Sequence, residues 1–97
     1  MNIQEEIMNV LQDDDESIIQ IENSFSYYNI KYNRTEVVEA LRQLLFEEKI
    51  EIQYPFEKKD ERELDINQIE DYWFGLTEVG KKEMKKILEN MSDNLPS

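Results

Sequence analysis

Two short segments on either side of a charged stretch decide the fold: Ile50-Glu51-Ile52-Gln53-Tyr54 and Tyr72-Trp73-Phe74. In the first segment apolar and polar residues alternate, which is the period of a half-buried strand. The second segment is a run of aromatic residues, which are common in strands. Pro55 cannot donate a hydrogen bond to a neighbouring strand, so we expect the first strand to end there. The pair predicts two strands joined by a long charged loop over residues 57–71.

A helix is predicted on each side of these strands. Residues 33–48 carry apolar side chains at helical spacing, and Asn33 with Glu36 has the spacing of a capping box. After the second strand, Leu76-Thr77 is expected to cap a last helix, and Gly80 in its first turn indicates close backbone packing. The buried face of that helix is predicted to comprise Val79, Met84, Ile87, Leu88 and Met91.

The first third of the chain predicts two further helices and a strand. Asn2 and Glu5 have the spacing of a capping box, and the apolar residues that follow predict a helix ending near Gln12. A run of four acidic residues at 13–16 separates this helix from a second one, predicted over Ser17–Ser26. The β-branched and aromatic residues of Tyr27–Tyr32 favour a short strand.

The segment Tyr72-Trp73-Phe74-Gly75-Leu76-Thr77-Glu78-Val79-Gly80-Lys81-Lys82 resembles the second wing strand and the start of the last helix in many bacterial transcription regulators. The resemblance to this winged helix-turn-helix superfamily covers residues 3–91. It implies an α+β fold with a three-helix core, a two- to three-stranded wing and a C-terminal helix. We therefore expect one domain over residues 1–91 and a frayed tail over residues 92–97.

The resemblance also implies DNA binding, because this fold is best known for it. The third helix would then read the major groove and the wing would contact phosphates. The side chains that could make these contacts are Asn33, Arg34, Thr35, Arg42 and Gln43 on the helix, and Lys58, Lys59 and Arg62 on the wing.

The charge of the chain opposes that function. It has 23 acidic and 11 basic residues, a net charge of −12, and residues 1–30 contain no Lys or Arg. Such a surface repels nucleic acid and attracts basic proteins. Our leading hypothesis is a protein that binds a basic partner, as an inhibitor, an immunity-type protein or a DNA mimic; the alternative is a DNA-binding transcription regulator. The partner-binding candidates are Asp13, Asp14, Asp15, Glu16, Glu22, Tyr27 and Tyr28.

Catalysis and cofactor binding are not expected. The chain has no His and no Cys, so the usual nucleophile–base pairs and thiolate or imidazole metal ligands are missing. Its two glycines do not form a phosphate-binding loop. The sequence shows neither a signal peptide nor a run of eighteen or so apolar residues. We expect a cytoplasmic protein that does not enter a membrane, and a homodimer stays open.

Overall fold

The chain folds as an α+β structure in the computed structural model, which describes residues 1–93. Its α-helices and β-strands, in chain order, are α1 (Ile3–Val10), β1 (Glu16–Ser17), α2 (Ile18–Tyr27), α3 (Arg34–Phe46), β2 (Ile50–Tyr54), β3 (Trp73–Leu76) and α4 (Glu78–Asp93). Two short 3-10 helices, Phe56–Lys58 and Ile66–Asp71, lie in the loop between β2 and β3.

The three strands form one antiparallel sheet with β3 in the middle, in the order β1-β3-β2. Ile50 lies opposite Leu76, and Ile52 lies opposite Phe74. These four side chains are buried, so they mark the face of the sheet that covers the core. The prediction that β2 and β3 pair is confirmed, and β2 ends just before Pro55 as expected.

The prediction of a strand at Tyr27–Tyr32 is wrong. Tyr27 is the last residue of α2, and the chain then turns at Asn29, whose φ is 58°. The N–H of Ile30 donates to the carbonyl of Phe25 at 2.8 Å, which satisfies the end of the helix. The third strand is instead β1, which precedes α2 and holds only two residues. So short a strand has no periodicity to detect.

Side-chain caps fix where the helices begin. Asn2 and Glu5 form the predicted capping box, each accepting from the other's backbone N–H at 2.9 Å. Asn33 accepts from the N–H of Glu36 at 2.9 Å. The Glu36 carboxylate, however, accepts from the Asn33 side-chain amide at 2.6 Å instead of from its backbone. Thr77 caps α4 by accepting from the N–H of Gly80 at 3.1 Å.

The core lies between the inner face of the sheet and the four helices. Helix α3 contributes the largest share, because six of its residues are buried: Val37, Val38, Ala40, Leu41, Leu44 and Leu45. Phe25 of α2, Phe74 of β3 and Ile7 of α1 are fully buried against it. This arrangement agrees with the apolar stripe predicted for the third helix.

Helix α4 covers the core with fewer residues than predicted. Met84 is buried, and Ile87 and Leu88 pack partly against the core. Val79 is 53% exposed and Met91 is 46% exposed, so their assignment to the buried face is wrong. Both lie near the ends of the helix, where periodicity continues but no neighbouring element covers the side chain.

Gly80 explains how α4 is seated. A Cβ atom at this position would overlap the backbone carbonyl oxygen of Lys49. The N–H of Thr77 donates to the same carbonyl at 3.1 Å, and the Thr77 hydroxyl donates to the carbonyl of Glu48 at 2.5 Å. The first turn of α4 therefore rests directly on the turn that precedes β2, as the close packing predicted for Gly80 requires.

The long loop between β2 and β3 folds back onto the protein through two of its apolar residues. Leu64 and Ile69 are buried, whereas Ile66 is 52% exposed. The hydroxyl of buried Tyr72 accepts a hydrogen bond from the N–H of Asp65 at 3.1 Å. These contacts hold the second half of the loop in place.

Helix α4 extends into the segment that was expected to be a frayed tail. Ser92 and Asp93 belong to α4. The rest of the expected frayed segment, residues 94–97, lies outside the residues that the structure describes.

Leu41 provides a test of the core, because its side chain is fully buried on α3. Leu41→Ala should lower the free energy of unfolding by about 2–5 kcal/mol, through lost apolar burial and the cavity left behind. The matched control is Val79→Ala, at the exposed position on α4, which should change stability by less than about 0.5 kcal/mol. Urea titration of both variants measures the difference. Equal effects would contradict the burial described for α3 and α4.

Candidate protein-binding surface

The outer face of the sheet, opposite the core, carries polar and aromatic side chains. Glu51 lies opposite Gly75, and Tyr54 lies opposite Trp73. The register is irregular between Ile52 and Tyr54, so β2 has an extra residue there. Tyr54 is 60% exposed as a result, although strict alternation places it on the buried side with Ile50 and Ile52.

Asp15 joins this face from the segment before β1. Glu16 pairs with Phe74 and Ser17 with Trp73, so one further residue of the same register brings Asp15 opposite Gly75. A Cβ atom at position 75 would overlap Oδ1 of Asp15 and would lie 2.9 Å from Nε2 of Gln53. The absence of a side chain at Gly75 therefore leaves room for both polar groups above β3.

Asp15 and Gln53, the side chains next to Gly75, line a shallow groove of about 490 Å³, which we call the acidic groove. Five carboxylate side chains line it: Asp13, Asp14, Asp15, Glu51 and Glu78. Lys81 of α4 is the one basic residue among the described residues that line it. Gln53 also lines it and donates to Glu51 at 2.8 Å. The groove is therefore a concave, strongly negative surface.

The carboxylates of the groove raise one another's proton affinity. Partial burial raises the pKa of Asp15, the negative charges of Asp14 and Glu51 raise it further, and Lys81 opposes the shift. The pKa of Glu16 is raised by burial and by Asp14 and Asp15. The folded protein thus holds these negative charges together against their mutual repulsion.

Asp15→Asn should therefore raise the free energy of unfolding at pH 7. Because the folded-state pKa of Asp15 lies above the ordinary value of 3.8, the folded state binds the proton more tightly than the unfolded state. Wild-type stability consequently falls as pH rises through the window between the unfolded-state and the folded-state pKa of Asp15. Asp15→Asn does not lose this stability, because its amide does not ionise. The advantage of Asp15→Asn should disappear as pH falls below the window.

Thermal unfolding of wild type and Asp15→Asn between pH 3 and pH 7 measures this difference. Asp60→Asn, a loop variant with the same change of charge, is the control and should gain less. An Asp15→Asn variant that is less stable than wild type at pH 7 would contradict the repulsion in the groove.

The structure brings together only part of the predicted partner-binding set. Asp13, Asp14 and Asp15 lie at the acidic groove, and Glu16 follows them in β1. Glu22 points to α3, where it pairs with Arg34. The remaining members, Tyr27 and Tyr28, lie at the other end of α2.

Tyr27 and Tyr28 form an aromatic pair of their own. They are 79% and 68% exposed, and their rings meet edge to face with centroids 4.9 Å apart. Ten residues of α2, about 15 Å of helix, separate them from the acidic groove. They therefore do not share one surface with the carboxylates of residues 13–16.

Several residues of the groove were absent from the sequence-based set, among them Glu51, Gln53 and Glu78. The alternation of β2 already pointed Glu51 and Gln53 outward. Their proximity to Asp15 depends on β1, which the sequence placed elsewhere.

Arg34, the first basic candidate for DNA contact, forms ion pairs with acids of its own chain. It donates to Glu22 of α2 and, at 2.8 Å, to Glu70 of the long loop. The hydrogen bonds to these two carboxylates raise the pKa of Arg34. Its charge is therefore compensated by two acids within the fold.

The other basic candidates also lie beside acids or aromatic rings. Arg42 pairs with Glu39 at 3.0 Å, Arg62 with Glu48 at 2.7 Å, and Lys58 with Glu61 at 3.9 Å. The ammonium of Lys59 lies 6.0 Å from the ring centroid of Phe56. Exposed ion pairs contribute little to stability, but each places a negative charge beside the basic side chain and so compensates its local positive charge.

The polar candidates on α3 are placed in a similar way. Asn33 caps the helix, as described above, and Gln43 donates to Glu47 at 2.9 Å. Thr35 is exposed on the first turn. The exposed charges of α3 itself are balanced, with Glu36 and Glu39 against Arg34 and Arg42, so the helix presents no net positive face.

The long loop lies along one side of α3. Arg62 contacts Glu48 just beyond the C-terminal end of the helix, and Glu70 contacts Arg34 at its N-terminal end. Between them, Glu63 and Leu64 of the loop line a groove together with Arg42, Gln43 and Phe46. An acidic segment of the chain therefore borders the helix that the resemblance assigned to DNA reading.

The chain matches no protein-family model, no curated protein and no solved structure. Within residues 1–93 no helix is both long enough and apolar enough to cross a membrane. The same part of the chain holds no group of three or more His, Cys, Asp or Glu residues placed to bind a metal ion.

Proposed function

We propose that this chain is a winged-helix-type protein that binds a basic protein partner through the acidic groove. This is the leading hypothesis from the sequence, with the binding surface now restricted to the acidic groove. An inhibitor, an immunity-type protein and a DNA mimic are the concrete forms that such a function takes. In each, carboxylates of this chain meet Lys or Arg side chains of the partner.

The winged-helix assignment is supported by the order of the elements. Helix α3 is followed by a β2–β3 hairpin with a long loop, and α4 begins directly after β3. This is the order that the resemblance implies for the third helix, the wing and the last helix. Fold alone does not decide function, so the functional part of the proposal depends on the surface.

The observation that carries the functional proposal is that the carboxylates gathered in the acidic groove lower the stability of the folded protein. Partial burial, and after it the repulsion of neighbouring carboxylates, raises the pKa of Asp15 and Glu16. Scattered surface acids would keep the protein equally soluble without this cost. A cationic ligand that binds in such a concave site relieves the repulsion between its carboxylates. The negative field of the site also speeds the approach of that ligand.

DNA binding has weaker support. The arginines predicted to contact DNA all form ion pairs with acids of the same chain. A phosphate approaching α3 also meets the acidic loop at its side. Counterion release requires a cationic footprint, and this footprint is net negative.

A gel shift with the chain's own promoter fragment, at low and physiological salt, tests this choice. We expect no sequence-specific complex at either salt concentration. Tight and specific binding that Arg34→Ala and Arg42→Ala each weaken would contradict the proposal and favour a transcription regulator. Circular dichroism of both variants controls for folding.

A further inference from the structure

We propose that the outer face of the sheet receives an arginine side chain of the partner, with its guanidinium at Asp15 and Glu51 and its flat surfaces against Trp73 and Tyr54. This inference rests on the proposed function and adds the chemistry of the residue that is bound. It concerns the outer face of the sheet, where Tyr54 is exposed and Trp73 is partly exposed.

The face has two adjacent rows with different chemistry. Asp15, Gly75 and Glu51 form a row that ends in a carboxylate on each side of a glycine. Trp73 and Tyr54 form the next row. Two residues along a strand span about 7 Å, so one long side chain reaches both rows.

Trp73 and Tyr54 give this surface an aromatic part that attracts cations. Tyr54 is 60% exposed, and Trp73 is partly exposed beside it in the sheet. Aromatic faces attract cations, and Trp attracts them most strongly. Aromatic side chains at an exposed site also dominate the energetics of many protein interfaces.

Arginine fits the two rows better than lysine. Its guanidinium is planar, so it stacks on an aromatic ring and still donates to a carboxylate through its edge. Two carboxylates beside Gly75 offer acceptors for several of its five donors. A lysine ammonium is a compact charge that would satisfy the carboxylates but would gain less from the aromatic row.

The partner is a different protein and not a second copy of this chain. The chain has three arginines, and Arg34, Arg42 and Arg62 all form ion pairs with acids of their own molecule. Two copies would also bring together bodies that each carry a net charge of −12.

Trp73 allows a direct test, because it is the single tryptophan of the chain. Hexa-arginine and hexa-lysine peptides are titrated into the full-length protein, and Trp73 emission is recorded with the binding curve. We expect hexa-arginine to bind at least about threefold more tightly than hexa-lysine and to change the emission more. Tyr54→Ser should bring the ratio of the two affinities close to one.

A second pair of variants separates this inference from the proposed function. Asp15→Asn with Glu51→Gln should weaken both peptides, and Asp60→Asn with Glu63→Gln removes the same charge from the loop as a control. Equal affinities for both peptides, with unchanged Trp73 emission, would overturn the inference even where the groove variant still weakens binding. If the groove and loop variants behave alike, the proposed function fails as well.

Discussion

Gly80→Ala is expected to destabilise the protein by about 3 kcal/mol or more, the upper end of what overpacking costs. A Cβ atom at position 80 overlaps the backbone carbonyl of Lys49. That carbonyl also accepts from the N–H of Thr77, so a shift of α4 breaks a hydrogen bond at the start of the helix. Neither glycine of the chain has a positive φ, so the effect measures space and not backbone conformation.

Gly75→Ala is the matched control for this prediction. A Cβ atom there meets the ends of the Asp15 and Gln53 side chains, which can rotate away. We expect a change within about 1 kcal/mol, because reduced backbone freedom in the unfolded chain offsets part of the strain. Denaturant titration of both variants gives the comparison. A larger loss for Gly75→Ala than for Gly80→Ala would contradict the seating of α4 on the turn before β2.

Reversal of Asp13, Asp14 and Asp15 to Lys should slow association with a basic partner by about tenfold or more at low salt. The three reversals halve the net charge of −12 and place cations at the acidic groove. The deficit should shrink as salt rises, because screening weakens attraction between exposed charges. Stopped-flow association with hexa-arginine at several salt concentrations measures the effect.

The control for this reversal changes the same number of charges elsewhere. Glu57, Asp60 and Glu63 are exposed acids of the long loop, and their reversal to Lys halves the net charge equally. We expect a smaller loss of association rate for this loop variant. Equal losses would mean that the overall charge alone sets the association rate, and that the acidic groove does not contribute specifically.

Strong periodicity made much of the fold predictable. The stripe on α3, the alternation in β2 and the caps at Asn2 and Thr77 each involve residues close in sequence, so local spacing identifies them. The errors arose where tertiary contacts decide. Tyr27–Tyr32 has the composition of a strand, but the chain there ends a helix and turns at Asn29.

The candidate site was harder to predict than the fold. The acids of residues 13–15 were visible as a charge run, but their neighbours Glu51 and Glu78 come from distant segments. Only the pairing of β1 with β3 brings Asp15 above Gly75. The ion pairs of the arginines could not be predicted from the sequence either, since the contacts of Arg34 with Glu22 and Glu70 join three separate elements.

Capture of a partner by immobilised protein tests the central claim most directly. Wild type, the Asp13, Asp14 and Asp15 reversal, and the loop reversal are each exposed to an extract of the source cells, and retained proteins are identified by mass spectrometry. We predict that wild type and the loop variant retain the same basic protein, at physiological salt and after nuclease treatment, and that the groove variant loses it. Retention of that protein by the groove variant, or its loss on nuclease treatment, would contradict the account.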